Sequence, residues 1–134
     1  MNIKEISSNS LSFIGDAVYT LKVREFFISN HYQSSKDLQK LCNRYNCARG
    51  QAKTYNRLLE ANFFTEIEKE IFKRGRNHIT HIPKNGDLDS YKAASGLEAI
   101  VGYLYLTDNN RLEELFKEIF KAGINNEWYC LWQK

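Results

Sequence analysis

Proline occurs once and glycine seven times in 134 residues. Breakers are therefore scarce, which disfavours a turn-rich all-β chain and favours helices. No segment approaches the roughly 18 uncharged apolar residues needed to span a bilayer. The first ten residues, MNIKEISSNS, lack both the apolar stretch of a signal peptide and the Arg-rich bias of a transit peptide. A cytoplasmic protein without a membrane partner is expected. The three cysteines, Cys42, Cys47 and Cys130, form no CxxC pair and are odd in number, which suits reduced thiols better than a disulfide framework or a zinc site. A GxSxG elbow, a Walker loop and a GxGxxG turn are all missing. Net charge is only +3, so nucleic acid is permitted as a partner without being required, and the placement of charge decides.

What is present suits one all-α domain spanning residues 1–134, since 43% hydrophobic content fills a single core and the chain is short for two. Residues 11–28 are apolar on nearly every side, as expected of a helix that is central or shared with a second chain. Ser34 and Asp37 read as a capping box that opens a helix burying Leu38, Leu41, Cys42 and Tyr45. The next helix, 48–60, buries Ala52, Tyr55, Leu58 and Leu59. Thr65 and Glu68 form a second capping box, and the short helix they start stops near Gly75. Residues 75–88 read as the one substantial loop. A second all-round apolar helix runs from about Asp89 to Thr107, and the last spans about Arg111 to Ala122 and ends at Gly123.

Two acids interrupt the two most apolar helices, Asp16 within SFIGDAVY and Glu98 within SGLEAIVGYLYL. A buried carboxylate is costly unless paired, hydrogen-bonded or bound to metal. Gly15 and Ala17 flank the first; Ala94, Gly96, Ala99 and Gly102 surround the second. Small residues allow close helix approach and leave room for a hydrated cation with a phosphate, and Mg2+ often needs only one or two carboxylates. The alternative is neutralisation of each acid by a nearby cation such as Arg24 or Lys92, because structural ion pairs are common. Positive charge gathers in KRGRNHITHIPK, residues 73–84, with four Lys/Arg, two His and no acid. Lys73, Arg74, Arg76 and Lys84, with Asn77 and Asn85, form a candidate RNA-binding set for phosphate and sugar oxygens; a solvated loop with chance charge bias is the alternative. His78 and His81 form HxxH but lack helical context and a third ligand. Cys42 and Cys47 sit on apolar helical stretches and read as core. Glu66-Glu68-Glu70 and Glu113-Glu114 read as solvated faces.

FIGDAVY at 13–19 resembles the signature helix of the ribonuclease III catalytic domain. RGRN at 74–77, IPKN at 82–85, YKAASGLEAIVGYLYL at 91–106 and RLEEL at 111–115 follow in order and resemble the Mini-ribonuclease III branch, covering residues 10–122. The resemblance implies an all-helical homodimer that hydrolyses double-stranded RNA with Mg2+, Mn2+ being a substitute, and leaves a 5′-phosphate and a 3′-hydroxyl. By motif, Asp16 and Glu98 take the two indispensable acidic positions, catalytic and metal-holding. The resemblance further implies trimming of precursor 23S ribosomal RNA, with a large-subunit ribosomal protein as an accessory partner and no appended double-stranded-RNA-binding domain. One departure from the classical enzyme is visible: the acids four residues before the Asp and three before the Glu are here Ser12 and Ser95. Fewer protein ligands then hold the metal, and the number of ions stays open. A catalytically silent, RNA-binding or ribosome-associated dimer and a helical Mg2+-dependent nucleotide hydrolase are the competing classes.

Overall fold

A computed structural model describes residues 2–30, 34–79 and 87–125, with side chains described as far as residue 121. Among the described residues there are six α-helices and no strand: α1 (Ser8–Ser29), α2 (Ser35–Asn46), α3 (Ala48–Glu60), α4 (Glu66–Asn77), α5 (Leu88–Thr107) and α6 (Asn109–Asn125). The all-α expectation holds. Four of these, α2, α3, α4 and α6, carry one apolar face each; α1 and α5 are apolar around most of their circumference. A helix of the latter kind belongs at the centre, and α5 takes that place, packing against α1, α3, α4 and α6. Leu97, Ala99, Ile100 and Val101 are fully enclosed there, joined by Val23, Leu58, Leu115 and Ile119 from the surrounding helices.

The second all-round apolar helix, α1, is not enclosed. Phe13 is 83% exposed, and Leu21 and Ile28 also face solvent. Leu59, assigned to the core by periodicity, is exposed as well, because α3 buries the Gln51, Thr54, Tyr55 and Leu58 face instead.

Helix ends differ from expectation in three places. Ser34 does precede α2, but its side chain makes no capping hydrogen bond, so the box with Asp37 is not formed. Helix α4 continues past Gly75 to Asn77. Gly75 is there for contact rather than termination: a Cβ on it would lie 2.7 Å from Ala99 Cβ and 3.1 Å from Gly96 Cα. Helix α6 likewise runs past Gly123 to Asn125. The box at Thr65 is formed in both directions, Glu68 N–H donating to Thr65 Oγ1 at 3.2 Å and Thr65 N–H to Glu68 Oε1 at 3.1 Å.

Glu68 is not on a solvated face. It is 3% exposed and accepts two hydrogen bonds of 2.8 Å from the Arg111 guanidinium. Burial alone would raise its pKa, but Arg111 holds it below the ordinary value. Arg111 also donates to Phe63 O at 2.8 Å and lies 4.1 Å from the centre of the Phe63 ring. This clamp ties the start of α6 to the start of α4.

Candidate active site

The crossing of α1 and α5 is built from backbone. A Cβ on Gly15 would fall 1.7 Å from Glu98 O, and one on Gly102 would fall 2.1 Å from Leu11 O. Absence of both side chains lets the two main chains touch. Asp16, one residue beyond Gly15, is thereby brought into hydrogen-bonding contact with the Glu98 carboxyl. Gly15 and Gly102 thus do what the sequence suggested for the small residues. Gly96 and Ala99 do not: they face α4, where a Cβ on Gly96 would meet the Phe72 ring at 2.4 Å. Ala17 faces solvent.

Asp16 and Glu98 line a cleft of about 490 Å³, walled by Ser12 and Phe13 of α1, Gln51 of α3, and His78 at the end of α4. Asp16 is exposed and Glu98 half-buried, so the first acid is less enclosed than its helix suggested. Neither is neutralised by Arg24 or Lys92: among the described residues no ion pair reaches either carboxylate. Burial pushes the Glu98 carboxyl up to about 8, the adjacent Asp16 adds to the rise, and the Gln51 amide opposes it. Two carboxyls in contact without a cation either share a proton or hold a metal ion. His78 and Cys47 line the same cleft, but among the described residues no third His, Cys, Asp or Glu completes a metal-holding group with the two acids. The donor set therefore suits a hard cation that keeps water and substrate oxygens in most of its shell.

Neutral groups complete the cleft. Gln51 is 2% exposed, and its Nε2 donates to Glu98 Oε2 at 3.3 Å and to Asn46 O at 3.2 Å. Gln51 Oε1 and Asn46 Oδ1 are buried with no hydrogen-bond partner among the described residues. Ser12 and Ser95 form a closed hydroxyl network. Ser12 Oγ donates to Ser95 O at 2.8 Å and lies 3.2 Å from Ser95 Oγ. Ser95 Oγ donates to Gly75 O at 3.0 Å, which leaves it to accept from His78 Nε2–H at 3.2 Å. A neutral His78 then keeps Nδ1 as an acceptor, and that atom is buried without a partner.

The basic set is divided. Lys73, Arg74, Arg76 and Asn77 belong to the last turns of α4 rather than to a loop. Lys73 and Arg76 line a separate groove between α3, α4 and α5, with Lys69 and Lys92, while His78 and Ile79 reach the Asp16–Glu98 cleft. Lys84, Asn85 and His81 lie outside the described residues, as does Cys130. Cys42 is buried as expected; Cys47 is only partly buried, caps α3 by accepting Gly50 N–H at 3.3 Å, and lines the Asp16–Glu98 cleft instead of the core. Gln51, Asn46, Cys47 and His78 are among the cleft residues that sequence reasoning missed. Gln51 carried a usable signal, a polar residue in the buried register of α3.

The family profile described as the ribonuclease III domain matches residues 9–109. Among curated proteins, the Mini-ribonuclease 3 of Enterococcus faecalis is 35% identical over 127 residues, covering 92% of this chain and 96% of its own. The Mini-ribonuclease 3 of Streptococcus pneumoniae is 38% identical over 117 residues, covering 86% and 91%. A crystal structure of a Fusobacterium nucleatum protein superposes with a TM-score of 0.78 at 28% identity, covering 88% of this chain and 96% of that one.

Proposed function

Because this chain belongs to the ribonuclease III family, in its Mini-ribonuclease 3 branch, we propose that its α1–α5 cleft is where it cuts double-stranded RNA, with Asp16 and Glu98 as catalytic, metal-holding carboxylates. The chain is an endoribonuclease of the family's type. The observation that carries the site assignment is the contact of two carboxyls, without a compensating cation among the described residues, at the floor of an open cleft.

Asp16 and Glu98 fit Mg2+, or Mn2+ in its place, which when bound supplies an activated water and charge stabilisation at the scissile phosphate. The chain's own residues do the remaining work. Gln51 holds one Glu98 oxygen and opposes its protonation, so the carboxylate is presented in one rotamer. Ser12 and Ser95, standing where the classical enzyme has acids, satisfy each other and the Gly75 carbonyl, and so close that side of the cleft without adding charge. Recognition is by A-form shape through phosphates and 2′-hydroxyls. Lys73 and Arg76 contribute phosphate contacts from the separate groove between α3, α4 and α5, and Arg74, Asn77, Lys84 and Asn85 complete the RNA-binding set.

The functional unit is a twofold homodimer, a single domain per subunit. Phe13, Ala17 and Leu21 fall at i, i+4 and i+8 on one exposed stripe of α1, and an apolar helical stripe left in water marks an association face. Phe13 also lines the cleft, so the seam runs beside each active site. A natural substrate among precursor 23S ribosomal RNAs, with a large-subunit ribosomal protein as accessory and the cytoplasm as setting, is consistent with the branch. Among the described residues no helix is long and apolar enough to cross a membrane.

The test is cleavage of a labelled, hairpin-closed RNA duplex in Mg2+, against Ca2+ and EDTA, by wild type, Asp16→Asn and Glu98→Gln. Cutting by wild type that is lost in both variants while duplex binding persists is the expected outcome. Wild-type binding without cutting refutes the catalytic assignment in favour of a silent RNA-binding dimer, and release of monophosphate from free nucleotides points to a nucleotide hydrolase. Phe13→Glu is expected to yield a monomer by light scattering.

A further inference from the structure

A second groove opens between α1 and α2, larger than the cleft at about 860 Å³. Its walls carry Arg24 from α1 and Lys36, Lys40, Asn43 and Asn46 from α2, over a floor that includes Ile28. No carboxylate lines it, and among the described residues none of the three cations is in an ion pair. Asp37 and Glu25, the nearest acids in sequence, are exposed on other sides of their helices. Lys36 and Lys40 are one turn apart and face the same way, about 6 Å along the helix axis.

This groove adjoins the Asp16–Glu98 cleft at one residue. Asn46 lines both, and its buried Oδ1 has no hydrogen-bond partner among the described residues. Arg24 stands eight residues beyond Asp16 on the same helix, about 12 Å along its axis. A strand whose phosphate lies at Asp16 and Glu98 therefore meets, a few nucleotides away, a row of unneutralised cations spaced to hold phosphate oxygens. We infer that the α1–α2 groove is a second RNA-contact surface, in which Arg24, Lys36 and Lys40 bind the phosphate backbone of the substrate strand as it leaves the cleft.

The inference rests on the reading of the cleft as the RNA-cutting site. Each neutralised phosphate contributes about 0.9 to the slope of log affinity against log salt, so Lys36→Ala with Lys40→Ala lowers that slope by about two for each subunit engaged. Alanine keeps the helical propensity of α2, and both side chains are exposed, so the variant folds. The experiment titrates a labelled RNA duplex in Ca2+ between about 50 and 200 mM salt, and measures cleavage in Mg2+. The double variant is expected to lose about tenfold less affinity over that fourfold salt increase than wild type does, for each subunit engaged, and to show its cleavage defect in KM. Lys4→Ala with Lys117→Ala, which removes the same charge from exposed positions elsewhere, leaves the slope and activity as in wild type. An unchanged slope in the groove variant overturns the inference, as does an equal loss in the control. Weakened self-association of the groove variant, read by light scattering, overturns it too and assigns the groove to the subunit seam. Wild type that neither binds nor cuts duplex RNA refutes the parent reading instead.

Discussion

Replacing Gly15 with alanine sets a methyl group 1.7 Å from the Glu98 carbonyl oxygen, where ordinary contact begins at 3.4 Å. The neighbour is main chain in the middle of α5 and has no rotamer to change, so α1 must lift by up to the difference, about 1.7 Å. Overpacking of this kind costs about 3 kcal/mol. Alanine returns about 1 kcal/mol through its better helix propensity, leaving a net loss of about 2 kcal/mol. With an unfolding entropy of roughly 2.1 cal/mol/K per residue, that lowers Tm by about 7 °C. The functional effect exceeds the stability effect, because the displaced residue is next to Asp16. A misplacement of about 1 Å at reacting groups costs roughly a hundredfold in rate. Gly15→Ala should therefore remain folded at 25 °C by circular dichroism while its kcat on duplex RNA falls about a hundredfold. A variant with wild-type Tm and kcat within a factor of two would refute the claim that main-chain contact at this crossing sets the carboxylate pair.

Three further outcomes follow from the same geometry. In EDTA, Glu98 releases its proton near its ordinary 4.5 when unfolded and near about 8 when folded, so stability falls as pH rises between those values. The full shift corresponds to about 5 kcal/mol, and solvent at the open cleft screens it to about 2 kcal/mol; Glu98→Gln should flatten the Tm–pH curve over that range, and an unchanged slope would remove the coupled pair. Arg111→Met strands the buried Glu68 carboxylate and should cost about 3 kcal/mol at pH 7, read by urea denaturation. Because Glu68 is held below its ordinary value, that penalty is present above the ordinary pKa and disappears as pH falls through the folded one. Gln51→Ala removes the donor to Glu98 and should lower kcat about tenfold while moving the acid limb of the rate profile to higher pH. An unmoved limb would mean that Gln51 is structural only.

Much of this organisation is legible in the residues themselves. Apolar periodicity locates all six helices, and the Thr65–Glu68 box fixes one boundary because both of its partners are local. The failures are tertiary. Gly75 has the chemistry of a helix stop, yet it lies inside α4 because Gly96 and Ala99 of α5 need the space. Glu68 looks solvated until Arg111, 43 residues away, is brought to it. Asp16 sits in an apolar helix, but that helix lies at the surface of the subunit, and only the folded chain shows which of its sides is open. The two acids were visible as intruders in apolar runs. Gln51 lies in the buried register of α3 but, as an uncharged amide, stands out less than a carboxylate, and the α1–α2 groove is not legible because only the folded chain sets Lys36 and Lys40 beside Arg24.

The four contact glycines differ in what genetics can do with them. At Gly75 the first obstacle to a larger residue is the Ala99 methyl, whereas at Gly96 the Phe72 ring is joined by the Phe72 carbonyl at 2.8 Å. Trimming Ala99 is an available second-site change, so suppressors of damage at Gly75 should appear across the α4–α5 seam. At Gly15 and Gly102 the obstacles are the carbonyls of Glu98 and Leu11, which every amino acid possesses. No compensating substitution at those contacts exists, and selection for restored activity should return only true revertants there. One side of α5 can drift in concert with its neighbour, while the side that carries Glu98 is pinned by atoms the genetic code cannot alter.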